Sequence, residues 1–248
     1  MRALVVFGKC ARQQRRDPIG LALTLGTAPA FVALYGLLFR DRPAARDGHG
    51  AIAPFDAFVP GLLVFAVIMV VFSAAMSVAK EVESGALRRL RLTPLRAVDY
   101  LGGISLFQLL LGAGSVSLTL LTAALLGFDA RGAGLSVVGL GILASAGSVG
   151  IGMMVATVSP TTGRAFLVAS VAMFLLLLFS GVVFPRPQAQ IFDLLPTTQL
   201  HLALSTLWST EPSPDVGRRA AALLGLSLLY FGAGVFAFDL RQGLARRR

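Results

Sequence analysis

The chain of 248 residues is 56% hydrophobic and 14% charged, and its net charge is +10. Soluble domains carry about 25% charged residues, so this composition excludes an ordinary soluble protein and predicts an integral membrane protein. A positive net charge is also typical of nucleic-acid-binding proteins. In so apolar a chain, however, basic groups normally reflect insertion topology and attraction to anionic lipid, so we expect membrane lipid and no nucleic acid as a partner.

The first 17 residues form a short basic segment whose apolar run, Ala3 to Phe7, is followed by one lysine and three arginines. This run is too short for the apolar core of a signal peptide, so the segment is expected to be retained. Cys10 is the sole cysteine of the chain, which excludes an intramolecular disulfide bond. We interpret it as structurally incidental.

Six apolar segments are long enough to cross a bilayer as helices, which requires about 20 residues for roughly 30 Å of hydrocarbon. Helices are expected because lipid offers the backbone no other hydrogen-bond partners. Asp17 and Pro18 are a suitable N-cap and first residue for the first helix. The sequence therefore predicts an all-α polytopic membrane protein whose spans are residues 19–39, 58–79, 101–126, 135–158, 165–184 and 220–238.

Six spans place both termini on one side of the membrane, together with the loops around residues 80–98 and 159–164. That side carries the whole net charge of +10, and the acidic and basic residues of the other side cancel. Basic residues near helix ends favour the cytoplasmic side. The predicted topology is therefore N-in and C-in, in a multi-pass protein of the plasma membrane. Arginine greatly outnumbers lysine, which is typical of a GC-rich genome and suggests a bacterial source.

The residues that would support independent chemistry are missing from the spans. Residues 101–126 and 135–158 contain no ionisable side chain, so coupling to an ion gradient is not expected. His49 and His201 belong to no ligand-spaced cluster, so no metal site and no catalytic residue is predicted. The chain also lacks a glycine-rich phosphate loop of the G-x-x-x-x-G-K type. If the protein uses ATP, another chain must bind it.

Small residues in the third and fourth spans, such as Gly141 with Ser145 and Ala146 with Gly150, predict close approach of helix backbones. Ordinary helix packing explains them, and a movable seam between helices or protomers is the alternative.

The segment Glu81 to Pro94 is a charged, arginine-rich insert between the second and third spans. On a helix at 100° per residue, one side is shared by Glu81, Gly85, Arg88, Arg89 and Leu92. Thr93 and Pro94 then end the helix and begin the next one. A positively charged loop that sets the membrane topology explains the arginines alone. It does not require the acidic Glu81, the small Gly85 one turn later or the helix end at Pro94, and these features favour an element that binds a partner.

A second irregular element follows the fifth span, where Pro185, Pro187 and Pro196 interrupt an apolar run. Irregular backbone at membrane depth is tolerated only against protein or water, so this region is expected to line or cap a pathway. A simple loop with a short interfacial helix is the alternative.

The chain resembles the permease subunits of ABC-2-type exporters, particularly those of daunorubicin-type drug efflux systems. The family pattern E-x-x-x-G-x-L-x-x-L-x-x-T-P is matched by Glu81, Gly85, Leu87, Leu90, Thr93 and Pro94. A second similarity covers Leu175 to Leu204. The resemblance implies that residues 1–17 form a cytoplasmic interfacial helix and residues 80–97 a coupling-helix region. It also implies that residues 185–204 form outer re-entrant helices.

By this resemblance, a separate nucleotide-binding subunit, which holds ATP and Mg, would contact the coupling region. A second, smaller contact would be made by residues 159–164, with Ser159, Pro160 and Arg164 as its candidate residues. The chain itself would bind no cofactor and would act as a homodimer or as a heterodimer with a related permease.

The function we expect is ATP-driven export of a hydrophobic or amphipathic compound, such as a drug, an antibiotic or a lipid. Candidate pathway residues are Phe65, Met69, Phe72, Gln108 and Phe179. Export of a lipid-linked glycan and a non-transport scaffold that recruits a cytoplasmic partner are the alternatives. A membrane enzyme is disfavoured, because Asp99 with Tyr100, or His201 with Gln199, is too small a set of polar groups.

Overall fold

The computed structural model describes residues 2–39, 54–85, 97–128, 133–182, 190–208 and 215–244, and throughout these ranges the regular structure is helical. The long helices pack side by side as a bundle. In chain order the helices are α1 (Arg2–Arg15), α2 (Pro18–Phe39), α3 (Pro54–Glu83), α4 (Ala97–Leu125), α5 (Gly134–Val158), α6 (Thr162–Phe179), a 3-10 helix (Gln190–Leu194), α7 (Pro196–Leu207) and α8 (Asp215–Leu244).

Six of the described helices, α2 to α6 and α8, are long and apolar enough to cross a membrane. The prediction of an all-α protein with six spans is therefore confirmed. The fifth span is shorter than predicted, because α6 ends at Phe179 instead of residue 184. Gly181 follows with φ +81°, a conformation that turns the chain although its neighbours remain apolar.

The first two helices meet at Asp17, as the sequence predicted. The Asp17 carboxylate accepts a hydrogen bond of 2.9 Å from the Gly20 N–H, and Pro18 is the first residue of α2. The side chain thus satisfies an N–H that has no partner within the helix. The basic helix α1 ends there, and the apolar helix α2 begins.

The helix α5 lies at the centre of the bundle, and its small residues bring it close to its neighbours. A Cβ atom added at Gly152 would lie 2.6 Å from the Val71 carbonyl oxygen of α3. One added at Gly150 would lie 2.2 Å from the Tyr230 carbonyl oxygen of α8. The predicted close approach of helix backbones is therefore observed within this chain. By contrast, only about a fifth of α2, α6 and α8 is buried, so these helices leave most of their surface to lipid or to another chain.

We call the end of the bundle where α1 lies, α3 ends and α6 begins the basic end; the topology prediction places it in the cytoplasm. The short helix α7 lies towards the opposite end and packs against α8, α3 and α5. Its first five residues, from Pro196 to Leu200, are buried. This short helix lies in the region where re-entrant helices are expected, and re-entry itself stays a prediction; Pro185 and Pro187 lie outside the described residues.

Candidate transport pathway and the junction at the basic end

The charged insert begins inside the second spanning helix. Helix α3 continues to Glu83, and Gly85 then adopts φ +67°, which favours glycine and ends the helix. Glu81 therefore belongs to the spanning helix, and it does not share a surface helix with Gly85 as the sequence suggested. The remaining predicted docking residues, Arg88, Arg89, Leu92, Thr93 and Pro94, lie outside the described residues.

The Glu81 side chain joins three helices at the basic end. The carboxylate is only 9% exposed, and it accepts hydrogen bonds of 2.8 and 3.0 Å from the Lys9 ammonium of α1. It also accepts one from the Tyr100 hydroxyl of α4. Lys9 donates to the same hydroxyl at 3.2 Å and lies 5.4 Å from the centre of the ring. We call Lys9, Glu81 and Tyr100 the junction. Charge-assisted hydrogen bonds of this kind are strong, so the junction fixes α1 against α3 and α4.

The cysteine of α1 lies next to the junction. Burial raises the pKa of the Cys10 thiol, and the negative charge of Glu81 raises it further. The thiol is partly exposed, so it remains open to small reagents. These two facts make Cys10 a slow but site-specific reporter of this region.

The second predicted cytoplasmic contact lies beside the end of α3. Thr161 caps helix α6, and the Glu83 carboxylate accepts a hydrogen bond of 2.9 Å from the Thr162 N–H. An acidic group at a helix N-terminus is stabilised by the unpaired N–H groups there. Ser159 is buried, whereas Pro160 and Arg164 are exposed. The structure thus brings the loop at residues 159–164 next to the start of the predicted coupling region.

The candidate pathway residues of α3 share one face of that helix. Met69 and Phe72 line an open cleft of about 490 Å³ between α2, α3 and α6. Phe72 packs edge to face against Phe166 of α6, with ring centres 5.4 Å apart. Phe65 lies in a second cleft of about 270 Å³ towards the opposite end, beside Tyr35 of α2. Three of the five candidates therefore line cavities between the same three helices.

The other two candidates lie apart from these residues. Gln108 of α4 is buried beside Ser77 in a small polar chamber of about 60 Å³. Phe179, at the end of α6, stacks on Phe192 of the 3-10 helix, with ring centres 4.4 Å apart. Thr198 donates a hydrogen bond to the Phe179 carbonyl oxygen at 3.4 Å, so Phe179 joins the spanning helix to α7.

Sequence reasoning did not single out Lys9, Tyr100 or Glu83 as site residues. Lys9 and Glu81 are 72 residues apart, so no local pattern pairs them. One signal was present. The chain has only two lysines, and one of them lies in a basic segment where all the other basic residues are arginine.

The described residues form six apolar helices long enough to cross a membrane, with clefts between three of them, which is the architecture of a polytopic membrane protein. The family model of the ABC-2 type transporter matches residues 2–198, which is most of the chain. The chain therefore belongs to the ABC-2 type transporter family, and it is the membrane component of such a transporter, distinct from the ATPase. No curated protein sequence matches the chain significantly.

Proposed function

We propose that this chain is the permease subunit of an ATP-driven exporter, related to the daunorubicin-type systems, that moves a hydrophobic or amphipathic compound out of the cytoplasm. Family membership supports the permease role. The observation that carries the choice of cargo is the cleft between α2, α3 and α6. Its wall carries three Met, two Phe and one Leu among glycine and small hydroxyl residues, and its charged and amide side chains, Gln14, Asp17 and Lys80, lie at the basic end. A compound with an apolar body and a polar head matches this distribution.

The energy would come from a separate nucleotide-binding subunit that docks at the basic end. The docking surface would be formed within residues 81–94, together with the exposed Pro160 and Arg164; Ser159 is buried and would support this surface from beneath. Glu81 is engaged within the chain, so its part would be to hold α1 and α4 in position under the partner. The poorly buried helices α2 and α6 support assembly with a second permease chain, identical or related.

The cleft is tested by transport into inside-out proteoliposomes that contain this chain and its ATPase. The assay follows ATP-dependent uptake of a fluorescent anthracycline such as daunorubicin. Phe72→Ala removes an aromatic wall of the cleft, and we expect uptake to fall several-fold. Phe236→Ala is the matched control, because Phe236 is 65% exposed on α8 and lies outside the cleft. Equal uptake by the two variants would show that the cleft is not the pathway.

Docking is tested separately by Gly85→Trp and Glu81→Arg. Both variants should insert in the membrane but lose ATPase binding, measured by co-purification, and lose ATP-driven uptake. Gly217→Trp is the control, because Gly217 lies in the first turn of α8 at the opposite end with free space around it. If Gly85→Trp and Glu81→Arg still bind the ATPase and transport fully, the docking surface lies elsewhere. A wild-type complex that binds the ATPase but moves no compound would favour the scaffold alternative.

A further inference from the structure

The helix α2 carries an apolar groove on the face that points away from the bundle. The groove, of about 710 Å³, is lined by residues of α2 between Pro18 and Leu34, and the buried residues of this helix all lie outside it. Small residues at every fourth position, Ala22, Gly26 and Ala30, form a low strip, and larger apolar side chains stand beside them. A Cβ atom added at Gly26 would meet nothing within 4 Å, so the described residues leave the strip uncovered.

The groove begins at the level of the lipid headgroups. Pro18 is the first residue of its span, and the preceding helix α1 is held at the ends of two other spans. There Lys9 contacts Glu81, close to the end of α3, and Tyr100, the first residue of the span in α4. From Pro18 to Leu34 the helix rises about 24 Å, more than the depth of one leaflet of hydrocarbon, about 15 Å. An acyl chain of the leaflet at the basic end can therefore lie in the groove over its full length.

The mouth of the groove is positively charged. Arg15 and Arg16 directly precede it, and the spacing of consecutive Cα atoms keeps the Arg16 backbone within about 8 Å of Pro18. Both arginine side chains are exposed, and neither is paired with a described acidic side chain. The carboxylate between them and the groove, Asp17, already caps α2 and faces the Lys80 ammonium at 4.0 Å. Among the described residues, the two guanidinium groups are therefore uncompensated.

This combination matches an anionic phospholipid. Guanidinium groups bind phosphate oxygens through strong, often bidentate, hydrogen bonds. Thr27 is the one polar residue among those that line the groove, and its hydroxyl donates to the Leu23 carbonyl oxygen of the same helix, so the groove suits an acyl chain. A second copy of this chain, seated on the groove with the same topology, would bring its own arginines to the same end, where like charges repel. A zwitterionic lipid would bring a cation there.

We propose that α2 binds one anionic phospholipid, with an acyl chain in the groove and the phosphate at Arg15 and Arg16. Leu23 and Thr27 line both the groove and the larger cleft between α2, α3 and α6, so this lipid would form part of the side wall of the cleft. The lipid site is independent of the transport function proposed above, and only its place beside the pathway rests on that function. Each arginine near an anionic headgroup contributes about fivefold in affinity.

Binding is tested with a tryptophan reporter at the mouth of the groove. The full-length chain carries Trp208→Phe, which removes its only tryptophan, and Ile19→Trp, at a groove position that is 73% exposed. It is reconstituted in vesicles of phosphatidylglycerol and phosphatidylcholine, in which one or the other lipid has brominated acyl chains. Bromine quenches tryptophan fluorescence on contact, so the two series give the relative affinity of the lipids at the reporter. We expect phosphatidylglycerol to bind about 25-fold more tightly.

Matched variants assign the site to the arginines and to the groove. Arg15→Gln and Arg16→Gln should each lower the ratio about fivefold, whereas Arg164→Gln, which removes an exposed charge elsewhere at the basic end, should leave it unchanged. Gly26→Leu fills the groove and should lower the ratio several-fold. Gly225→Leu is its control, because an added Cβ at this exposed glycine of α8 also meets nothing within 4 Å.

The reporter Leu228→Trp, at an exposed position midway along α8, should give nearly equal affinities for the two lipids. A ratio near one at position 19, or an equally high ratio at position 228, would overturn the proposal. Absence of quenching by either lipid at position 19 would show that protein covers the groove, and would overturn it in favour of a second copy. A ratio that survives Gly26→Leu, or that inorganic phosphate abolishes, would exclude the acyl chain from the site. The assay needs neither ATP nor the ATPase, so its failure is distinguishable from a failure of the transport function.

Discussion

Replacing Gly150 by alanine tests the packing of α5 against α8, the closest helix contact described above. The new Cβ would lie 2.2 Å from the Tyr230 carbonyl oxygen and 2.6 Å from the Phe231 Cα atom. Both are backbone atoms, so no side-chain rotation relieves the overlap. Gly234 faces the same contact, because its own added Cβ would lie 2.4 Å from the Gly150 carbonyl oxygen. The two helices must therefore separate by about 1 Å to reach ordinary van der Waals contact.

A separation of this size loses a quarter to a half of the dispersion energy at the atoms concerned. Overpacking of this kind lowers the free energy of unfolding by about 1–3 kcal/mol. Because backbone atoms overlap on both sides, we expect about 3 kcal/mol for Gly150→Ala. For a chain of this size, that corresponds to a fall in the unfolding midpoint of about 6–12 °C. The measurement is thermal unfolding of the detergent-purified protein, followed by circular dichroism.

The matched controls are Gly139→Ala in α5 and Gly232→Ala in α8, where an added Cβ meets nothing within 4 Å. Alanine is the better helix former, so these variants should be unchanged or up to about 1 kcal/mol more stable. If Gly150→Ala is as stable as Gly139→Ala, the described contact between α5 and α8 is incorrect.

Three further predictions concern the basic end. Lys9→Met should lower the free energy of unfolding by about 1–3 kcal/mol in thermal unfolding, because the buried Glu81 carboxylate loses its cation. Its control, Lys80→Met, breaks an exposed 4.0 Å ion pair with Asp17 and should cost less than about 0.5 kcal/mol. Equal effects of the two variants would contradict the junction. Because burial and Glu81 raise the pKa of Cys10, less thiolate is present at neutral pH, so maleimide should alkylate Cys10 more slowly than a free thiol and the rate should keep rising to higher pH. Glu81→Gln removes the negative charge that raises the pKa of Cys10, so the rise of the alkylation rate should move to lower pH. An unchanged profile would show that Glu81 does not raise this pKa. Gly85→Ala should lower the free energy of unfolding by about 1–2 kcal/mol in thermal unfolding, because alanine disfavours the φ of +67° at this position. Gly85→Asn should cost less, since asparagine tolerates that conformation. Equal stability of Gly85→Ala and the wild type would argue against the described turn.

The spans were predictable because lipid imposes a length and leaves the backbone no partner but itself. The cap at Asp17 was equally local, since it needs only Asp followed by Pro. The end of α6 was not predictable, because the apolar run continues beyond Phe179 while Gly181 turns the chain. Hydropathy records how apolar a residue is and carries no information on its backbone angle.

The role of the candidate site stays a prediction. The sequence named Met69 and Phe72 as pathway residues, and the structure places both in one cleft. The pairing of Glu81 with Lys9 and Tyr100 depends on how three separate helices pack, which no local pattern specifies. The same limit applies to Gln108, whose contact with Ser77 is evident only once α3 and α4 are in place.

The two carboxylates at the end of α3 limit how this helix can move. Glu81 and Glu83 are two residues apart, so they project from nearly opposite sides of the helix, Glu81 to Lys9 of α1 and Glu83 to Thr162 of α6. Rotation of α3 about its own axis would break at least one of these contacts, whereas displacement of the end of α3 together with α1 and the first turn of α6 keeps both. A displacement of the end of α3 that kept both contacts would therefore carry α1 and the first turn of α6 with it.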